Sequence, residues 1–180
     1  MNNSNLKILA INGAPGSGKT TFENMLAKEM GRYYDSRSTI DLVKQVAKLC
    51  GWDGTKDLKS RKFLSDLKDL LTEYNDAPMN DIKQHINNFE EELTMYYVVN
   101  QPHIFVSDVR EPRGLQRFKD ELNAITVLVR RPEVEGLATS NHADAEVFNF
   151  NYDYIIYNDS TLEVLEARAK TFLKLLFPEN

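Results

Sequence analysis

The amino-acid sequence predicts an α/β fold: a mainly parallel five-stranded sheet with helices on both faces. Three observations carry that prediction. Apolar runs of strand length recur along the chain, amphipathic stretches of helix length separate most of them, and glycine-rich or polar turns fall between. Strands separated by helices imply a sheet covered on both faces.

The elements follow in order. Leu6 to Ile11 (LKILAI) is a short apolar run closed by glycines and reads as a buried strand. From Lys19 to Met30 the apolar residues Phe22, Met25, Leu26 and Met30 keep a helical period, and Gly31 stands where a C-cap belongs. Arg32 to Asp35 is read as a short second strand. A helix is expected from Thr39 to Leu49, with Ile40, Val43 and Ala47 on one side. Two more follow after a polar loop: Ser60 to Tyr74, with Phe63, Leu64, Leu67, Leu70 and Leu71 as its apolar residues, and Asn80 to Val98, with Ile82, Ile86, Phe89 and Leu93. Three helices without an intervening strand predict a helical lobe, about residues 36–100 of a single 1–180 domain. Alternation then resumes with a strand at His103 to Ser107, a helix at Gly114 to Leu122, and strands at Ile125 to Val129 and Tyr154 to Tyr157. The polar segment 130–153 is long enough for a lid. Ser160 with Glu163 gives a capping-box signal for the last helix, which closes near Phe177-Pro178.

Composition bounds the function classes. In 180 residues, 42% are hydrophobic and 27% charged, and 8 Gly with 6 Pro make only 14 chain breakers, so neither a flexible linker nor a disordered chain is indicated. A chain of this length buries roughly 70% of its unfolded surface and needs no staples. With 22 Lys+Arg against 27 Asp+Glu the net charge is −5, which opposes a general nucleic-acid binder. A single cysteine, Cys50, forms no internal disulfide and is expected to pack. The expectation is a cytoplasmic setting, with no secretory leader, no membrane partner and no nucleic-acid partner. A homodimer is left open.

The sequence Gly13-Ala14-Pro15-Gly16-Ser17-Gly18-Lys19-Thr20 satisfies GxxxxGK[ST], between an apolar strand and an amphipathic helix. Glycines let backbone N–H groups turn toward a phosphate chain, and the helix N-terminus adds a favourable field. Gly13, Ala14, Gly16, Ser17, Gly18, Lys19, Thr20 and Thr21 are therefore expected to bind a nucleoside triphosphate. Lys19 would bridge the terminal phosphates and the Thr20 hydroxyl would coordinate Mg²⁺. A second acidic group is expected beside the metal, and Asp108, at the end of His103-Ile104-Phe105-Val106-Ser107, is the candidate.

Arginines distinguish a phosphoryl-transfer enzyme from a simple binder, because the guanidinium fork takes phosphate oxygens in pairs. Arg110 and Arg113 follow Asp108, and Arg130 and Arg131 end the next strand. Arg37 follows the second strand, and Arg61 opens the helical lobe. Asp35 and Asp41 either serve an acceptor group or cap a helix. Trp52 and Tyr74 either stack on an acceptor base or pack in the core, the latter being the expected fate. His85, His103 and His142 show no ligand spacing, so no metal other than nucleotide-bound Mg²⁺ is expected.

The P-loop, the segment Ser107-Asp108-Val109-Arg110, the pair Val129-Arg130, and Tyr152-Asp153-Tyr154-Ile155-Ile156-Tyr157-Asn158 together resemble the bacteriophage deoxynucleoside monophosphate kinases. Animal-type phosphomevalonate kinases share a similar outline. The resemblance covers the first 30 residues and about 103–176. It implies a P-loop kinase fold with a helical acceptor lobe and a lid, ATP and Mg²⁺ as cofactors, and a small phosphorylated acceptor. By that carry-over Lys19, Arg110 and Arg130 are catalytic, Thr20 and Asp108 serve the metal, and Arg61 meets the acceptor phosphate; from their positions Asp35, Arg37 and Arg110 are also expected to meet the acceptor. One departure stands out. Residues Glu133 to Phe150 contain no Arg or Lys, which leaves Arg130 and Arg131 as the lid's cations. Two rival readings are a small-metabolite kinase on the same scaffold and a regulatory nucleotide binder with an incomplete active site.

Overall fold

The structure is a computed structural model and describes residues 5–96, 98, 100–135 and 146–178. Five strands form one parallel sheet in the order β2-β3-β1-β4-β5. They are β1 (Leu6–Asn12), β2 (Tyr34–Ser36), β3 (His103–Asp108), β4 (Ile125–Arg130) and β5 (Tyr154–Tyr157). The described helices are α1 (Lys19–Met30), α2 (Thr39–Leu49), α3 (Leu58–Asn75), α4 (Ala77–Met95), α5 (Pro112–Leu122) and α6 (Leu162–Leu176). None is long and apolar enough to cross a membrane.

The chain divides into two compact units. One holds residues 1–36 and 97–180, the other 37–96. In the sheet unit, Leu9 and Ile11 of β1, Ile104 and Val106 of β3, and Val127 and Val129 of β4 point to one face. There they meet Phe22 and Leu26 of α1 and Leu165, Ala169, Phe172 and Leu176 of α6. The Phe172 ring sits 5.9 Å from Phe22 and edge-on to Tyr154 at 5.2 Å, geometries that aromatic quadrupoles favour. Helix α5 packs on β1 and β4 through buried Leu115 and Phe118. Both faces are thus covered, which is why the middles of β3 (Ile104, Phe105, Val106) and β4 (Val127, Leu128, Val129) are apolar without alternation.

Register fixes the edge where chemistry occurs. Ile11 lies beside Asp108, and Arg130 beside Tyr157, so the loops after β1, β3, β4 and β5 leave from one end of the sheet. In open parallel sheets this carboxyl end is where ligands bind.

In the helical unit, α2 opens with a reciprocal cap. The Ser38 hydroxyl accepts from Ile40 N, while Asp41 Oδ2 accepts from Ser38 N at 2.9 Å. Asp41 also pairs with Lys44, so of its two readings the structure shows the capping one. Helices α2 and α4 bury Val43, Ala47, Met79, Ile82, Ile86, Phe89 and Leu93.

Several expectations need correction. Helix α3 buries none of its residues fully: Leu64, Leu67 and Leu71 are half-buried where it packs on α2 and α4, and Leu70 is 62% exposed. Tyr74, at the end of α3, is exposed rather than packed, and Cys50 is exposed just beyond the end of α2. Trp52 is half-buried, with Nε1 donating to Thr55 O. Helix α4 starts three residues earlier than expected and α5 two, because proline suits the first helical turn, where an N–H has no acceptor. The second strand is shifted to Tyr34–Ser36 by a 3₁₀ turn over Gly31–Tyr33. The last helix is capped at Thr161 without a side-chain cap bond, and the Ser160–Glu163 box does not form. Residues 136–145 of the expected lid, with His142, lie outside the described residues.

Candidate functional site

The loop from Gly13 to Gly18 joins β1 to α1 and is held from three sides. Gly16 and Gly18 take positive φ (80° and 95°), which turns the chain over the start of α1. At Gly13 the constraint is proximity: a Cβ there would lie 2.5 Å from both Ser17 Oγ and Val129 O. Inside the loop, Ser17 N donates to Ala14 O at 3.0 Å. Asn12, fully buried, accepts from Gly13 N through Oδ1 at 2.8 Å, while its Nδ2 donates to Arg110 O and to the Tyr152 hydroxyl. That hydroxyl donates onward to Val147 O at 2.7 Å. Burial pushes the Tyr152 phenol up to about 12, with the Asn12 bond pulling against it, so it acts as a fixed neutral bridge.

From the other side Asn158 donates through Nδ2 to Ser17 O at 3.0 Å and is itself tied by its N–H to Arg130 O at 2.7 Å. Asp153 holds the start of β5, accepting from Thr126 N, Thr126 Oγ1 and Lys119. The Tyr152 to Asn158 stretch therefore works as a clamp on the P-loop. Sequence reasoning singled out the stretch but missed this role.

Next to the loop lies a cavity of about 600 Å³, lined among others by Gly16, Lys19, Thr20, Arg131, Asn158 and Ser160. The β5–α6 turn supplies its far wall. Ser160, read from sequence as a helix cap, lines this cavity instead.

Lys19 donates to Gly13 O at 3.2 Å and lies 3.7 Å from Asp108 Oδ1. Four buried polar atoms at this end of the sheet have no hydrogen-bond partner: Ser17 Oγ, Glu23 Oε1, Ser107 Oγ and Asp108 Oδ1. Orphaned polar atoms are costly in an interior, so their concentration around one loop marks a place built for a polar guest. The donor types, a Thr hydroxyl and carboxylate oxygens, are the hard ligands that Mg²⁺ takes alongside phosphate oxygens. The residues present thus fit a metal–phosphate ligand. Among the described residues no group of three His, Cys, Asp or Glu gathers as a protein-only metal cage.

Glu23 was not foreseen. Burial, then the charge of Asp108, push its carboxyl up from 4.5 to about 7, and Lys19 pulls against both. A signal did exist: Glu23 stands three residues after Thr20 and four after Lys19, which puts all three on one side of α1.

The expected arginines are placed as follows. Arg130 gives its fork to Glu135 at 2.7 and 2.9 Å and lies over the Phe148 ring. Glu135 is held below its usual range by that bond and the Arg130 charge. Arg131 pairs with Glu133 at 2.6 Å. Arg110 is exposed just past Asp108. Asp35 is half-buried and accepts from Ser36 N. In the helical unit Arg37 forms a two-point pair with Asp81 at 2.8 and 3.2 Å, and exposed Arg61 donates to Lys56 O. Thr21 is half-buried at the cavity wall.

No protein-family model matches the chain, and no curated protein matches it. Solved structures do. Shikimate kinase from Bacteroides thetaiotaomicron is 13% identical, with a TM-score of 0.45 over 96% of this chain and 99% of that one. A sugar kinase from Janibacter sp. is 16% identical, at 0.43 over 94% and 95%. Dephospho-CoA kinase from Campylobacter jejuni is 12% identical, at 0.43 over 95% and 97%. What this chain binds is decided by its own loop, clamp and carboxylates.

Proposed function

We propose that the protein is an ATP-dependent phosphotransferase that moves the γ-phosphoryl group to a small phosphorylated acceptor, most simply a deoxynucleoside or nucleoside monophosphate. The observation that carries this reading is the clamped P-loop, with Lys19 and Asp108 meeting at its mouth and unpaired buried polar atoms around it. The loop, held by Asn12 at Gly13 N and by Asn158 at Ser17 O, would offer its other N–H groups to the phosphate chain without reorganising. Lys19 would leave Asp108 for the terminal phosphates, while Thr20 and Asp108 would hold Mg²⁺. The cation's contribution is to neutralise charge on the phosphates as the bond to the leaving group stretches. Arg110 and Arg130 are the proposed contacts for the transferring group. Arg37 and Arg61 are the proposed acceptor ligands, with Asp35 orienting the acceptor. Catalysis would consist of positioning and charge stabilisation, the acceptor phosphate being the nucleophile.

A second reading has one observation in its favour: Arg130 and Arg131 are both engaged by lid carboxylates. On that reading the protein binds ATP as a regulator and transfers nothing. Coupled ADP release with Mg-ATP across nucleoside and deoxynucleoside monophosphates and phosphomevalonate separates the two. The kinase reading predicts release that depends on one acceptor and vanishes in Lys19→Ala. Tight ATP binding with silence across the panel would favour the regulator.

A further inference from the structure

We propose that Glu23, together with Asp108, holds the divalent cation that accompanies the nucleotide, either directly or through a water of its shell. The inference rests on the triphosphate reading of the P-loop and adds a ligand that the motif does not specify. Three observations support it.

The first is enclosure. Glu23 Oε1 and Asp108 Oδ1 are both buried and both lack a hydrogen-bond partner. Oxygens with so little room around them suit a small hard cation or its bound water better than a bulky acceptor. The second is sign. Glu23 and Asp108 bring two carboxyls against the single ammonium of Lys19, which lies 3.7 Å from Asp108, so one cation faces two acids. The third is what happens to Lys19. Its ammonium now lies 3.7 Å from Asp108 and acts on Glu23 as well. A triphosphate in the loop draws it away, and two neighbouring carboxyls then lose their counter-charge just as anionic phosphates arrive. A divalent cation restores the balance; a protein lacking one pays for the repulsion in nucleotide affinity.

The test compares ATP affinity by calorimetry in excess Mg²⁺ and in EDTA, for wild type and Glu23→Gln. Wild type is expected to gain affinity from Mg²⁺. In Glu23→Gln that gain is expected to fall about tenfold or more, while binding in EDTA is unchanged or tighter, because one repelling charge has gone. A gain equal to wild type's would overturn the inference. So would an equal loss of affinity with and without Mg²⁺, the mark of a packing role. Circular dichroism checks that the isosteric variant folds; if it does not, Glu23→Ala is taken through the same titrations and judged by the same ratio. A wild type that binds no ATP in either buffer sinks the triphosphate reading and this one with it. Normal wild-type coupling with an unchanged variant sinks Glu23 alone.

Discussion

Glu23 is a residue whose ionisation its surroundings displace strongly, and its pH behaviour has a definite sign. Its carboxyl titrates near 7 in the folded chain against an ordinary 4.5. Between those values the folded protein keeps a proton that the unfolded chain has released, so stability falls as pH rises through this window. The cost is fully developed above pH 7 and amounts to about 3 kcal/mol at most. Thermal melts without nucleotide should therefore show Glu23→Gln more stable than wild type at pH 8 and equal to it near pH 4.5. Parallel pH profiles would contradict that assignment. Glu135 offers a second handle, since it occupies the Arg130 fork. Glu135→Gln should free Arg130 and tighten Mg-ATP about two- to fivefold, the worth of a half-exposed ion pair; weaker binding would show that the pair shapes the site rather than masking it. At this scale the sequence was informative where backbone and chemistry coincide. Lys19, Thr20 and Asp108 could be named because a glycine-rich turn between strand and helix dictates what stands at its ends. Asn158 and Glu23 act across the fold, on Ser17 O and beside Asp108, and such contacts exist only once α1 and β5 have docked on the sheet.

Elements differ in how much their apolar residues matter. Helix α6 presents Leu165, Ala169, Phe172 and Leu176 to the sheet at helical spacing, and all four are buried. Helix α3 is less apolar, and its Leu58, Leu70 and Tyr74 stand in solvent. Denaturant unfolding should separate them. Phe172→Ala, which removes a ring enclosed between Phe22 and Tyr154, should cost about 3–5 kcal/mol. Leu70→Lys should change stability by about 0.5 kcal/mol or less. A large loss at Leu70 would mean that this face of α3 is covered in solution. The pattern of apolar residues reveals that a helix has a face to bury but not how deeply, and on α3 Leu64, Leu67 and Leu71 end half-buried. Helix ends were legible where glycine or a local cap marks them, as at Gly31 after α1. Asp41 closes α2 within three residues of Ser38, whereas Ser160 stands beside the cavity and Thr161 holds the N-cap position of α6 without a side-chain bond.

At the scale of the molecule, the α/β class was readable because β1, β3, β4 and β5 each centre on a short apolar run, whereas β2, Tyr34-Asp35-Ser36, has none and was begun two residues early. The strand order was not readable: β2-β3-β1-β4-β5 depends on crossovers that carry no sequence mark. That order nonetheless creates the site, since it sets β3 and β4 on either side of β1 and so brings Asp108 and the Arg130–Glu135 pair to the carboxyl edge from which the P-loop leaves. The central claim is that this edge binds a nucleoside triphosphate through Lys19. Calorimetric titration with Mg-ATP, wild type beside Lys19→Ala, tests it most directly. The account predicts one site per chain in wild type and an affinity at least about tenfold lower in the variant, whose melting profile remains cooperative, because a charge-assisted contact to phosphate contributes well over 1 kcal/mol. Equal affinity in the two proteins, or no binding to wild type, would contradict it.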